Sequence, residues 1–399
     1  MKLSLSLLFA AIALVNVDAA EDSNTYSCLD PAEVDYNHDY FPDKVSPEFS
    51  RHWSISYHNT YKIFKNTFTG TSWLLYQCGT TPPASEEGKH QGMHKVPLQN
   101  GLALSTTTDL THLEQLGLRR QVKGMVGGTA YIGSPCFKQM ADEGIMDSVN
   151  GGWYSSGLDR ADFEEKHPEV VFINSVGDAP NDLHVTGSSE AESKDIYEWH
   201  KVFGALFNQE KMANEEFTAS VDRYDCAADN AAYLVETRTA RKLKLDFEKA
   251  MATPLRKKEE NNKRKLGVKP KLLWASHTKY GYDGSNYNLP AWDIGDCSTI
   301  NNYYCEFATQ CQAEIMHANT GSILADSSET NFHKNFTEFM EFAKDAEYWI
   351  YPAGNFNATL YEFPELRELD VVKNGQVYDN EKTLSTWFEH RISEYGTSY

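Results

Sequence analysis

Long apolar runs are the first thing this sequence of 399 residues lacks. The longest, Leu3 to Val15, is interrupted by Ser4 and Ser6 and is too short to span a bilayer, so no transmembrane helix is expected. With Lys2 before it and Val17-Asp18-Ala19-Ala20 after it, the run reads as a secretory signal over residues 1–20, with an exported mature chain starting near Ala20. Positive charge is also in short supply: 37 Lys and Arg face 57 Asp and Glu, a net charge of −20. Such a chain repels nucleic acid and anionic lipid, which excludes both as partners. Catalytic signatures are missing as well. There is no G-x-S-x-G elbow, no H-E-x-x-H, no Walker loop and no G-x-G-x-x-G after a strand, so no catalytic residue is assigned and the chain reads as a non-enzyme. Thirteen histidines are scattered without ligand spacing. His90 and His94 stand at i, i+4, but Gly88 and Gly92 oppose a helix there, so no metal site is assigned.

What is present describes a globular, exported protein. Hydrophobic residues at 41% and charged residues at 24% suit packed cores, and the length allows two domains. The seven cysteines (28, 78, 136, 226, 297, 305, 311) show no C-x-x-C pair, and in an oxidising compartment they read as disulfide formers. Cys297, Cys305 and Cys311 cluster closely enough for a local bridge, and the odd count leaves one thiol over. Asn335-Phe-Thr and Asn357-Ala-Thr are glycosylation acceptors in a eukaryotic setting.

The chain is organised around Gly101 to Gly117. Leu102-Ala103-Leu104 is a short apolar strand, Ser105 to Asp109 is turn and cap chemistry, and Leu110, Leu113 and Leu116 recur at helical spacing. A strand feeding a helix through a hydroxyl-rich loop exposes backbone N–H groups and hydroxyls at the carboxyl end of a sheet, where open α/β sheets take ligands. Before it, His52–Tyr57, Tyr61–Phe68 and Ser72–Gln77 alternate as an antiparallel edge meander. After it, Leu118–Gly128 and Pro168–Ser175 read as strands, with a helix at Phe137–Asp147 between them. Ser193 to about Arg256 is the longest helical tract, followed by a basic run at Arg256–Lys265 that reads as a solvated insertion. From Leu272 a second strand–loop–helix series begins. His277–Asn301 reads as a Gly-, Asn- and aromatic-rich loop, Asn302–His317, Ser328–Ala343 and Trp387–Tyr395 as helices, and Ala346–Ile350 as a buried strand.

This order resembles the class III periplasmic binding proteins, the substrate-binding components of siderophore, haem, corrinoid and metal-ion importers. The residues carrying the resemblance are Ser105–Asp109, Leu116-Gly117 and Pro168–Ile173, then Glu198-Trp199, Phe207-Asn208, Val221-x-x-Tyr224 and Lys269-Pro270. Two further matches are Lys344-Asp345-Ala346-Glu347-Tyr348-Trp349-Ile350 and Asn374-Gly-x-Val-Tyr378. The resemblance implies two Rossmann-like α/β lobes joined by a long connecting helix, with a ligand cleft between them. The corresponding boundaries are 21–190 for the first lobe, 191–268 for the connecting helix with its insertion, and 269–399 for the second lobe. Bacterial members continue by tens of residues, so a shortened last helix or a fragment is expected.

On this reading the ligand loops are Ser105–Asp109, Gly127–Ser134, Gly151–Gly157, Gly177–Asn181, His277–Asn286 and Ser327–Thr330. The contact residues are Thr106, Thr107, Thr108, Tyr131, Trp153, Tyr280, Tyr282 and Trp292. Hydroxyls and aromatics suit an iron-siderophore, haem or corrinoid better than a bare ion. The expectation is an extracellular or cell-surface monomer that captures such a chelate for uptake, works with a membrane transporter or receptor, and has no resident cofactor. Two alternatives remain open: a secreted hydrolase on a two-lobed α/β scaffold, and a surface interaction protein that has lost its ligand.

Overall fold

The computed structural model describes residues 23–126, 128–129, 132–149, 160–174, 182–190, 192–252, 269–282, 287–295, 297, 303–316, 331–352 and 356–379. The expected signal, Tyr131, Trp153, the basic run and the expected helix at Trp387–Tyr395 lie outside these residues.

The alternating segments form the expected meander, β1 (Trp53–Tyr57), β2 (Tyr61–Asn66) and β3 (Thr71–Gln77), and a fourth strand, β4 (Gly92–Val96), pairs parallel to β3. Alternation decides the faces: Lys62, Phe64 and Asn66 point inward while Lys65 stays exposed.

A five-stranded, fully parallel sheet follows, composed of β5 (Leu102–Leu104), β6 (Val122–Val126), β7 (Asp147–Val149), β8 (Val171–Asn174) and β9 (Leu183–His184). The crossover helices are α1 (Thr108–Gln115), α2 (Pro135–Asp142) and α3 (Ala161–Lys166). Burial on both faces explains why β5 and β8 read as unbroken apolar runs. The expected helix at 137–147 is shorter and begins earlier, because Ser134 caps it and Pro135 opens it.

The long helical tract is two helices, α4 (Ser193–Leu206) and α5 (Glu210–Ala252). Asn208, at φ 57°, turns the chain between them. A side chain at Gly204 would bring a Cβ within 2.4 Å of Ala213, so the close α4–α5 crossing requires glycine there. One core joins the meander, the parallel sheet, α1 and α4, and includes Phe64, Trp73, Leu104, Leu113, Ile173, Trp199 and Phe203.

The second lobe contains β10 (Lys271–Tyr282), β11 (Tyr287–Gly295), α6 (Tyr303–Gln310), β12 (Glu314–Ile315), β13 (Asn331–Lys334), α7 (Phe336–Ala343), β14 (Tyr348–Tyr351), α8 (Phe356–Glu362), α9 (Asp370–Lys373) and β15 (Val377–Asp379). Strands β12, β10, β14 and β15 run parallel, β11 pairs antiparallel to β10, and β13 pairs antiparallel to β11 and so runs in the direction of β10 and β14. The aromatic stretch expected as a loop from His277 is therefore a long β10–β11 hairpin. The helix expected at 302–317 stops at Gln310, and Gln312, at φ 56°, leads the chain into β12. The helix expected from Ser328 starts only at Phe336, where Asn335 and Glu338 form a capping box, with β13 before it. Within the Asn374–Tyr378 motif, Gly375 at φ 65° separates α9 from β15. The aromatic core of this lobe holds Leu273, Trp292, Phe339, Trp349 and Leu366.

Two disulfides are present, Cys28–Cys78 and the local Cys297–Cys305. Cys136, Cys226 and Cys311 are free, three thiols rather than the single one the odd count suggested. Among the described residues no helix is long and apolar enough to cross a membrane.

Candidate functional site: the switch point of the first sheet

The first sheet runs β7-β6-β5-β8-β9. From β5 the chain builds outward on one side through β6 and β7, then crosses back to β8 and β9 on the other. Such a reversal opens a crevice at the carboxyl ends of the two central strands, the place where open α/β sheets bind ligands. Here those strands are β5 and β8, and the loop leaving β5 is Ser105-Thr106-Thr107-Thr108-Asp109. The Ser105 N–H still pairs with the Ile173 carbonyl at 3.0 Å, which fixes where the loop departs.

Beyond that bond the hydroxyls take over. Thr106 Oγ1 and Thr108 Oγ1 lie 2.9 Å apart, and the Thr108 N–H points at Thr106 Oγ1 at 3.4 Å. Thr107 occupies the N-cap position of α1 but has helical backbone angles, so its side chain makes no cap bond. Its Oγ1 is buried with no partner among the described residues. Asp109, in the first turn and 5% exposed, has an equally unpartnered Oδ2. Burial pushes its carboxyl up to about 8, so the group is largely protonated at neutral pH. The first turn of α1 therefore keeps the positive end of the helix dipole without an opposing carboxylate.

The far side of the crevice is tied by hydrogen bonds and an ion pair. Asn174, ending β8, donates to Asp182 at 2.8 Å, Asp182 accepts from Arg160 at 2.7 Å, and the Arg160 guanidinium lies 4.1 Å above the Phe172 ring. Ser134, in the loop after β6, caps α2 and donates to Glu114 of α1 at 3.0 Å.

The second sheet has the same kind of reversal between β10 and β14, and aromatic rings pack its face. Trp292 stacks on Phe339 at 3.9 Å, Phe363 lies 4.8 Å from His277 and 5.6 Å from Trp292, and Trp349 Nε1 donates to the Ala275 carbonyl. Trp292, expected to present its ring to a ligand, is 1% exposed and packed on every side by core aromatics. Its assignment is corrected to a core residue, because the hairpin pairing turns position 292 into the sheet's packed face. Tyr280 and Tyr282 fall on the distal half of β10, with backbones described and side chains not. Of the expected contact residues, the structure brings together Thr106, Thr107 and Thr108.

One constellation had no sequence signal. Ser72 Oγ is 2.8 Å from His90 Nδ1, and His90 Nε2 is 3.2 Å from Glu86 Oε2. Ser72 opens β3 while His90 and Glu86 lie in the β3–β4 connection, and no fixed spacing announces such a group. A second serine, Ser50, donates to the Glu190 carboxylate instead of an imidazole. Among the described residues no three His, Cys, Asp or Glu side chains converge to hold a metal ion.

No family model and no curated protein matches this chain. Among solved structures, it is similar to a possible iron-binding (periplasmic solute-binding) protein of Staphylococcus epidermidis, at 11% identity over 74% of this chain and 95% of that one, with a TM-score of 0.43. It is also similar to the periplasmic heme-binding protein HutB of Vibrio cholerae, at 10% identity over 75% and 96%, with a TM-score of 0.42. An ABC-type ferric hydroxamate transport protein of Saccharomonospora viridis matches at 12% identity over 75% and 93%, with a TM-score of 0.43. Two of these three structures are described as periplasmic binding proteins and the third as part of a ferric hydroxamate transport system.

Proposed function

We propose that this protein is an exported solute-binding protein that captures an oxygen-rich metal chelate of the ferric siderophore class for uptake. The observation supporting this reading is the β5–β8 switch point, where hydroxyls of Thr106 and Thr108 and the first turn of α1 stand beside an uncharged Asp109. Hydroxyls and N–H donors at a helix start suit the oxygens of an anionic chelate. Thr106 and Thr108 supply the first-lobe hydroxyls on either side of Thr107 at the start of α1, and Tyr131, Trp153, Tyr280 and Tyr282 supply rings. The lobes are 21–190 and 269–399, bridged by 191–268, and a membrane transporter or receptor receives the cargo.

A thermal-shift series with ferric hydroxamate and catecholate chelates, haem, cobalamin and free metal ions tests it. At a hundredfold excess over Kd, a ligand stabilises by about 2.7 kcal/mol. A saturable shift with one chelate, lost in Thr106→Val, supports the reading; no shift with any of these probes sinks it.

A second reading, hydrolytic, is favoured by one observation, the Ser72–His90–Glu86 chain of hydrogen bonds. Nucleophile, base and orienting carboxylate are in the relation that activates a serine. A fluorophosphonate probe distinguishes the two: labelling at Ser72 that disappears in His90→Gln establishes it, and an unlabelled wild type removes it.

A further inference from the structure

We propose that Asn335 and Asn357 carry N-linked oligosaccharides, and that the sugar on Asn335 covers the open edge of the second sheet. Both lie in acceptor triplets, Asn335-Phe-Thr337 and Asn357-Ala-Thr359, and both are exposed. The two disulfides indicate passage through an oxidising compartment, a condition the modification shares.

The atoms at Asn335 divide cleanly between fold and sugar. Its Oδ1 accepts the Glu338 N–H at 3.0 Å, and Glu338 Oε2 accepts the Asn335 N–H at 3.2 Å. The cap uses the oxygen, and Nδ2, the atom that takes the sugar, has no partner among the described residues. In the transfer, Nδ2 attacks the anomeric carbon of an oligosaccharide activated as a lipid-linked diphosphate. A C–N bond forms, the C–O bond to the diphosphate breaks, and the amide loses a proton.

Asn357 is different. The hydroxyl of its triplet, Thr359 Oγ1, is buried and lies 2.7 Å from Tyr351 Oη, so the triplet is complete only before α8 docks. Asn357 is accordingly modified during synthesis.

Topology decides what these sugars do. Asn335 immediately follows β13, and β13 ends the sheet order β13-β11-β10-β14-β15. An edge strand exposes unpaired N–H and C=O groups that recruit another chain. A bulky polar group at its carboxyl end blocks that pairing. Asn357 begins the helix after β14, which runs parallel to β13, so both sugars stand at the carboxyl end of the sheet.

The test uses protein secreted by a eukaryotic host, with intact mass and peptide mapping before and after amidase treatment. Two sites should lose sugar, each asparagine becoming aspartate. Thr337→Ala should remove the first sugar while keeping the Asn335 cap, and Asn357→Gln should remove the second. No mass change overturns the proposal, and occupancy at one site overturns it for the other. The Thr337→Ala protein should self-associate at concentrations where wild type stays monomeric, and identical association overturns the shielding role. None of these readouts depends on ligand binding.

Discussion

The two lobes solve the same packing problem with different chemistry. The first lobe and the connecting helices packed on it bury ion pairs: Lys62 and Glu210 are both 0% exposed at 2.5 Å, and Lys201 and Glu198 are 1% and 0% exposed at 2.9 Å. In the second, the ion pairs among the described residues are on the surface, as in Lys271–Asp345 and Lys373–Glu368, and the interior is stacked rings. Surface pairs contribute about 0–1 kcal/mol each, so the second lobe rests on apolar burial. The first adds directional ties that fix the meander on the helices. Lys62, from β2, reaches Glu210 and Asn208 and the Ala205 carbonyl, while Glu198 accepts the N–H groups of Glu48, Phe49 and Ser50. Burial pushes Lys62 down and Glu210 up, and their mutual contact, with the Asn24 amide that donates to Glu210, opposes these shifts.

The largest effect should come from breaking one of these ties. Lys62→Met strands the Glu210 carboxylate and should cost about 3–5 kcal/mol, read as a fall in the denaturation midpoint. Adding Glu210→Met should recover most of that loss. If the single substitution is harmless, the contrast between the lobes has no energetic meaning.

The next effect is confined to the first lobe and depends on pH. His112 and His200 lie between α1 and α4, with three of their four ring nitrogens unpartnered, and burial holds His112 at about 3 and His200 well below its ordinary value. Their stabilisation is fully present above about pH 6.5 and is lost as pH falls, about 1.4 kcal/mol per unit for each. Asp109 works the other way. Its raised value means stability present below about pH 4 and lost up to about pH 8, at a similar slope. Their combined contribution is therefore greatest near pH 6.5 and falls by about 2 kcal/mol at pH 5. In Asp109→Asn the alkaline decline should vanish and the acid decline steepen. Unchanged urea-denaturation profiles across this range would refute the placement of these groups.

The sequence announced part of this arrangement. Leu102–Gly117 was legible because burial imposes a period on strand and helix alike, and the meander because its inward residues alternate. The second hairpin was misread, since Gly281, Asn286 and Pro290 resemble loop chemistry, although Asp283-Gly284 between aromatic strands is itself a hairpin signal. Thr106–Thr108 could be placed at a sheet's carboxyl end from local pattern. The Lys62–Glu210 tie could not, because 148 residues separate its partners and a lone lysine in a strand carries no mark of what it will meet. The Ser72–His90–Glu86 group was hidden although its members lie only 18 and 4 residues apart, because no fixed spacing marks such a group.

Within the second lobe, Phe339→Leu should cost about 1–2 kcal/mol, from the lost stack on Trp292 and the void left behind. A loss as large as that of Lys62→Met would show that the aromatic core is no more tolerant than the charged one.

The smallest effect bears on the joint between the two regions. Glu306, on α6, accepts the Ser193 N–H at the start of α4 at 2.8 Å and the Tyr224 hydroxyl of α5 at 2.9 Å, while Gln310 donates to it at 3.1 Å. One carboxylate thus caps one connecting helix and holds the other. Glu306→Gln keeps the shape and loses the charge, so it should cost about 1 kcal/mol of total stability. Its more telling signature is cooperativity: a joint held by this acceptor and by Phe307 packed on Tyr224 should loosen before either core melts. Calorimetry should then resolve two overlapping transitions where wild type gives one, the lower belonging to the lobe without buried ion pairs. A single transition merely shifted downward would mean that the lobes are coupled through packing, and that Glu306 is only one hydrogen bond among many.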